Sequence, residues 1–201
     1  MLDDLDRTLD ALLRSELPSS IVSQVAITFA APDDQFPPTA VTPPALDLFL
    51  FAIRENADLR SNEMVVERNG DGPATRHRPP VRVACSYLVS AWASESSTTP
   101  ALDEHRLLGE AIAALVRHPT IPTAILQGGL AGQEPPLPAT TLEHSGTQTQ
   151  VDVWRAFGGK PRAAFIYTVT VGLDVLPPVA AGPPVKERRF KYSVDDEPVE
   201  E

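Results

Sequence analysis

Residues 79–92 read "PPVRVACSYLVSAW". Alternation along an extended chain places Val81, Val83, Cys85, Tyr87, Val89 and Ala91 on one face. Arg82, Ser86, Leu88, Ser90 and Trp92 fall on the other. An apolar face backed by a mixed one predicts a sheet strand with a core on one side. The stretch also holds the single cysteine of the chain. A reactive thiolate needs a helix N-terminus or a basic neighbour. Cys85 stands between Ala84 and Ser86 with neither, so it reads as a core thiol. Ser86 and Ser90 lack the Gly-x-Ser-x-Gly elbow that exposes a hydrolase nucleophile, and read as polar positions on a partly solvated face.

Outward from this strand, local patterns predict the remaining elements. Leu2, Leu5, Leu9 and Leu12, with Leu13 beside them, make a helical stripe over 2–14, with Asp3, Asp4 and Asp6 in the first turn and Arg14 in the last. "SQVAITFAA" alternates as a half-buried strand. "ALDLFLFAIREN" is apolar on both sides, Leu46, Leu48 and Leu50 against Phe49, Phe51 and Ile53, which predicts a central strand covered on each face. "EMVVERNGDGPATRHRPPVRVACSYLVSAW" reads as a long hairpin or ribbon, with Asn69-Gly70-Asp71-Gly72 in its turn region. Residues 102–117 form a helix capped at Asp103, with Leu107, Leu108, Ile112, Leu115 and Val116 in its stripe. A weak strand near 139–144, a short helix in "TQVDVWRAF" ending at Gly158-Gly159, and a long strand in "RAAFIYTVTVGLDV" complete the series.

The order of elements predicts an α+β fold: one domain over 1–176 with a mixed, mostly antiparallel sheet flanked by two main helices. A Pro-rich linker and a charged C-terminal arm follow over 177–201. The 21 prolines in 201 residues are about twice the usual share, which predicts long loops or arms. A net charge of −10 argues against a phosphate backbone as the main partner. No apolar run approaches the roughly 20 residues of a membrane span, and the acidic "MLDDLDRTLD" is unlike a signal peptide. One cysteine forms no internal disulfide, which fits cytosolic synthesis.

Motifs that carry chemistry are missing. His77, His105, His118 and His144 make no His-x-x-x-His pair and stand near no cysteine cluster, so no metal site is expected. Glu104 and His105 open a helix, where neighbours point apart. Gly128-Gly129-Leu130-Ala131-Gly132 does not join a strand to a helix as a dinucleotide fingerprint does. Gly158-Gly159-Lys160-Pro161 lacks the flanking residues of a phosphate loop. Asp33-Asp34 and Asp195-Asp196-Glu197 carry no calcium-loop pattern. No cofactor is called for and no enzyme emerges.

Two segments read as contact surfaces. Arg54, Asn56 and Arg60 lie where the apolar strand turns polar, at a subunit interface or as anchors of the next loop. In "KERRFKYSVDDEPVEE", Phe190, Tyr192 and Val194 alternate with Arg189, Lys191 and Ser193, and Arg188 precedes them. That is the pattern of either a disordered tail or an arm that adds a strand to a neighbouring subunit, its charges fixing the register.

Four blocks then resemble a known family: "LDRTLDALLRSEL", "LDLFLFAIRENADLRSNE", "PPVRVACSYLVSAW" with "EHRLLGEAIAALVRHPTIP", and "VDVWRAFGGKPRAAFIYTVTVGLDV". Tyr87, Ser90, Trp92, His105, Leu108, Gly109, Trp154 and Tyr167 are the marker positions. Together these blocks resemble the N-terminal-domain family of tail-terminator, or cap, proteins of phage-tail-like contractile injection systems, of the antifeeding-prophage and virulence-cassette type. They span about residues 1–176, and the tail beyond has no matching pattern. The resemblance implies a structural role without catalysis. A homohexameric ring would end inner-tube and sheath polymerisation and join the two layers at the end distal to the baseplate. It implies the inner-tube and sheath proteins as partners, with no nucleic acid and no membrane insertion. Synthesis and assembly would be cytoplasmic, within a particle open to release. Two alternatives are a baseplate or adaptor component of the same machine, and a small-molecule-binding or hydrolytic domain using Ser86 or Cys85 with His105.

Overall fold

The leucine stripe of the N-terminus folds as predicted. In the computed structural model, helix α1 (Leu2–Glu16) buries Leu5, Leu9, Leu12 and Leu13 completely. Burial of each such side chain stabilises the fold by about 1.5–3 kcal/mol. The described residues are 1–32, 36–68, 74–133, 137–142, 146–158, 161–181 and 187–190. Helix α2 (Ser19–Val22), strand β1 (Ala26–Thr28) and strand β2 (Ala45–Glu55) follow. Next come β3 (Val65–Arg68), β4 (Ala74–His77) and β5 (Val81–Trp92). Helix α3 (Pro100–Val116), β6 (Ala139–Thr141), α4 (Gly146–Ala156), β7 (Ala164–Leu173) and β8 (Val179–Ala180) complete the α+β chain.

Two compact units form. The first comprises 1–60 with 80–173, and the second 61–79 with 174–201. In the first, five strands run in the order β1-β2-β5-β7-β6, with β1 parallel to β2 and every other pair antiparallel. The mixed, mostly antiparallel sheet is therefore present, with β5 at its centre. Its core face takes Cys85, Tyr87, Val89 and Ala91 from β5, Leu46 and Leu48 from β2, and the stripes of α1 and α3. Across the sheet, Leu88, Ile166 and Trp154 of α4 are buried, and Phe49 meets Phe157 edge-on at 5.0 Å.

The second unit holds a separate sheet, β3-β4-β8. The long hairpin expected over 63–92 is thus corrected. The hairpin is β3 with β4, while β5 belongs to the first unit's sheet. Pro79 and Pro80 explain the break, since neither has an amide to continue a ladder. The expected turn Asn69-Gly70-Asp71-Gly72 lies outside the described residues. Within the segment read as a linker, Val179 and Ala180 pair with Arg76 and Thr75 of β4.

Three further differences are local. The register of β2 shifts between Leu50 and Ala52, and beyond this bulge Ile53 is 52% exposed, so β2 is covered on both faces only in its first half. Helix α3 begins earlier than expected, with Thr99 at its N-cap and Asp103 in the first turn, where it accepts a 2.5 Å bond from Ser97 Oγ. Val116 is exposed, because the stripe ends with Leu115 at the last turn. Two residues past the end of α4, Gly158 stands at φ +70°, a left-handed geometry that suits glycine, while Gly159 lies outside the described residues.

Candidate functional site

Where β2 leaves the core, it forms one wall of a groove. Past the bulge, Arg54 and Glu55 are exposed, and the Asn56 amide donates to the Arg82 carbonyl at 2.8 Å before a 3₁₀ turn at Ala57–Leu59. The Asn56 side chain donates to Thr170 Oγ1 at 3.2 Å. Ser86 and Thr168 hydroxyls lie 2.9 Å apart. These groups, with Thr140, Phe51, Ile166 and Asp58, line a groove of about 420 Å³ on the sheet face away from the leucine core. Its floor is a row of hydroxyls, which accept and donate equally.

The three β2-end residues singled out in the sequence divide by role. Arg60 forks onto Glu55, with Nε–Oε1 at 2.7 Å and Nη2–Oε2 at 2.6 Å. The adjacent guanidinium holds the Glu55 carboxyl below its ordinary range, and both groups face solvent. Asn56 anchors the loop to β5 and β7. Arg54 alone has neither hydrogen bond nor ion pair among the described residues, and it overhangs the groove. Arg54 and Asn56 thus share the groove, while Arg60 is linked to it only through Glu55. In the arm, Arg188 stacks over the Phe190 ring at 5.7 Å, and Arg189 pairs with Glu187 at 2.9 Å. Phe190 is 65% exposed, and Tyr192 lies outside the described residues.

Sequence reasoning missed the floor of the groove. Its signal was available: "YTVTV" in β7 alternates threonine with apolar residues, but the pattern gained meaning only when Ser86 and Asn56 were placed opposite it.

The reactive alternative finds no geometry. Cys85 is fully buried in the core, where loss of solvent pushes its thiol up to about 11, away from the thiolate a nucleophile needs. Ser86 is its neighbour on the strand and faces the opposite side, bonded to Thr168. His105 is exposed on α3. A second hollow of about 520 Å³ opens at the end of β5, lined by Ser20, Gln24, Trp92, Ser94, Asp103 and Arg106. Trp92 there is held between Phe36, at 4.2 Å, and the Arg162 guanidinium, 4.0 Å above its ring. Arg162 also meets Glu104 at 2.6 Å. Among the described residues no cluster of His, Cys, Asp and Glu could hold a metal ion, and no helix is long and apolar enough to cross a membrane.

Comparison with known proteins gives a consistent result. A family model described as the Pvc16 N-terminal domain matches residues 4–187. The fold is similar to a sheath/tube terminator of the PVC extracellular contractile injection system in its extended state. The TM-score there is 0.67 at 21% identity, covering 96% of this chain and 64% of that one. It is also similar to the tube-terminating cap of the anti-feeding prophage, with a TM-score of 0.61 at 22% identity, covering 96% and 62%. The chain therefore spans less than two thirds of the length of either structure. No curated protein matches it.

Proposed function

This chain belongs to the Pvc16 N-terminal domain family, and we propose that it acts as a structural cap of a contractile injection system, ending growth of the inner tube and sheath and joining them. The observation that carries this reading is the fold shared along 96% of the chain with a sheath/tube terminator and with a tube-terminating cap. The absence of a reactive geometry around Cys85, Ser86 and His105 agrees with a role exercised by contact.

In this reading the chain forms a ring of six copies, made in the cytoplasm and seated on the last layer of the tube. A cyclic ring requires two different patches per copy. The groove under Arg54, with Asn56 and Arg60 shaping its rim, is one candidate patch. The arm beyond 176, with Arg188, Arg189, Phe190 and Tyr192, is the other.

Electron microscopy of particles assembled with and without the chain tests the proposal. The expected result is tubes and sheaths of unregulated length when the chain is missing. Normal lengths and intact ends in its absence would reject a terminator role. Labelling that places the chain at the spike end would favour a baseplate component instead.

A further inference from the structure

Cross-strand pairing in the second unit aligns Val66, Arg76 and Val179 side by side on one face of the β3-β4-β8 sheet. Val66 is 54% and Val179 57% exposed, and Arg76 between them is exposed too. Arg68 shares this face two residues along β3. Neither Arg68 nor Arg76 has a hydrogen bond or ion pair among the described residues. The opposite face is different, because there the Glu67 carboxylate lies 3.3 Å from His77 Nε2. A small three-stranded sheet needs a covered face to be stable in water, yet this one exposes two valines around uncompensated guanidinium groups. Its shortest strand, β8, contributes two residues. The face is therefore apolar and cationic, and it fits an extended segment that is apolar and anionic.

The chain contains such a segment. Five of the eight residues 194–201, "VDDEPVEE", are acidic, interspersed with Val194 and Val199. In an extended chain one side presents Val194 with Asp196, and the other presents Asp195 and Glu197 with Val199. Either side thus offers both an acid and a valine. Pro198 has no amide for a strand ladder, which favours lying across a face over lengthening an edge.

We propose that residues 194–201 of one copy dock across the Val66–Arg76–Val179 face of a second copy, with Asp195 and Glu197 on Arg76 and Arg68 and Val199 against Val66 and Val179. The choice of a second copy rests on the ring reading above. Segment and face are different surfaces, so their contact is head-to-tail, as a closed ring demands. The contact is carried by exposed charges and weakens as salt screens them.

The test uses two full-length chains, one with Val179→Cys and one with Val199→Cys, mixed under oxidising conditions. The native Cys85 is buried and does not compete. The expected result is a mixed dimer of the two chains, reduced at high salt and lost when Arg76→Glu is added to the Val179→Cys chain. Reversing the partner charges, with Asp195→Lys and Glu197→Lys on the other chain, restores it. No crosslink in the mixture, or no restoration by the paired reversal, overturns the proposal. A chain carrying both cysteines that closes on itself at high dilution, while the mixture gives no dimer, assigns the face to the chain's own tail and also overturns it. Particles still capped normally by the Arg76→Glu chain, with no crosslink in the mixture, would reject this contact and leave the cap reading standing.

Discussion

Tyr87 at the centre of β5 donates a 2.8 Å hydrogen bond to Asp6 Oδ1 on α1. The bond ties the innermost strand to the helix that covers it, across 81 residues of sequence. Burial of Asp6 pushes its carboxyl above the ordinary range, and the Tyr87 hydroxyl offsets part of that rise. Burial together with the Asp6 carboxylate pushes the Tyr87 hydroxyl upward as well, so it stays a donor at any physiological pH.

Tyr87→Phe keeps the ring and removes this bond, leaving a half-buried carboxylate without its donor. The expected loss is about 1–3 kcal/mol of unfolding free energy, measured by urea denaturation. A loss within 0.3 kcal/mol or so would place the linkage between β5 and α1 in apolar packing alone.

Asp47 of β2 is fully buried, and neither carboxylate oxygen meets hydrogen-bond geometry. Burial pushes its carboxyl up to about 8, and the Ala30 backbone opposes this only in part. A carboxyl whose folded value is raised binds its proton more tightly in the folded state. Its contribution to stability is complete below the unfolded value near 4 and is lost as pH climbs through 8. Asp47→Asn should come closest to the parent near pH 3, below the unfolded value, and exceed it at pH 9 by on the order of 3–6 kcal/mol. Taking the difference between the two proteins cancels the other carboxylates. Parallel pH curves would show that Asp47 is ionised and solvated in the folded protein.

Gly128 at φ +53° passes directly over the Asp4 carboxylate, where the next amide, Gly129 N–H, donates to Asp4 Oδ2 at 3.1 Å. A methyl group there would collide with the carboxylate and strain the backbone. Gly128→Ala is expected to cost about 1–3 kcal/mol. Gly132→Ala is the control: it has a positive φ of +87° but open space around its Cβ, so it reports backbone strain alone. Equal losses in the two variants would rule out the collision.

Arg54→Glu tests the groove. Because Arg54 is exposed and unpaired among the described residues, stability should shift by less than about 0.5 kcal/mol. Ring formation or docking on tube ends, followed by electron microscopy, should nevertheless fail. Arg60→Ala removes an exposed ion pair and should cost no more than about 1 kcal/mol. Unimpaired assembly by Arg54→Glu would remove the groove from the candidate interfaces.

Much of the fold was legible because burial has a period. The leucines of α1, the two-sided β2, the alternating β5 and the β-branched β7 each reveal their type within a dozen residues. Tertiary structure alone decided what depends on distant pairing. It assigned β5 to β2 and β7 while placing β3 and β4 in another sheet, a choice hidden within one continuous run of alternation. It aligned Ser86, Asn56, Thr168 and Thr170 into one polar groove, although Asn56 and Thr170 stand 114 residues apart. It also set Val66, Arg76 and Val179 in a row on three strands. The physical reason is common to all three. A strand's alternation determines which side chains share a face, but only its neighbours and register determine what that face becomes.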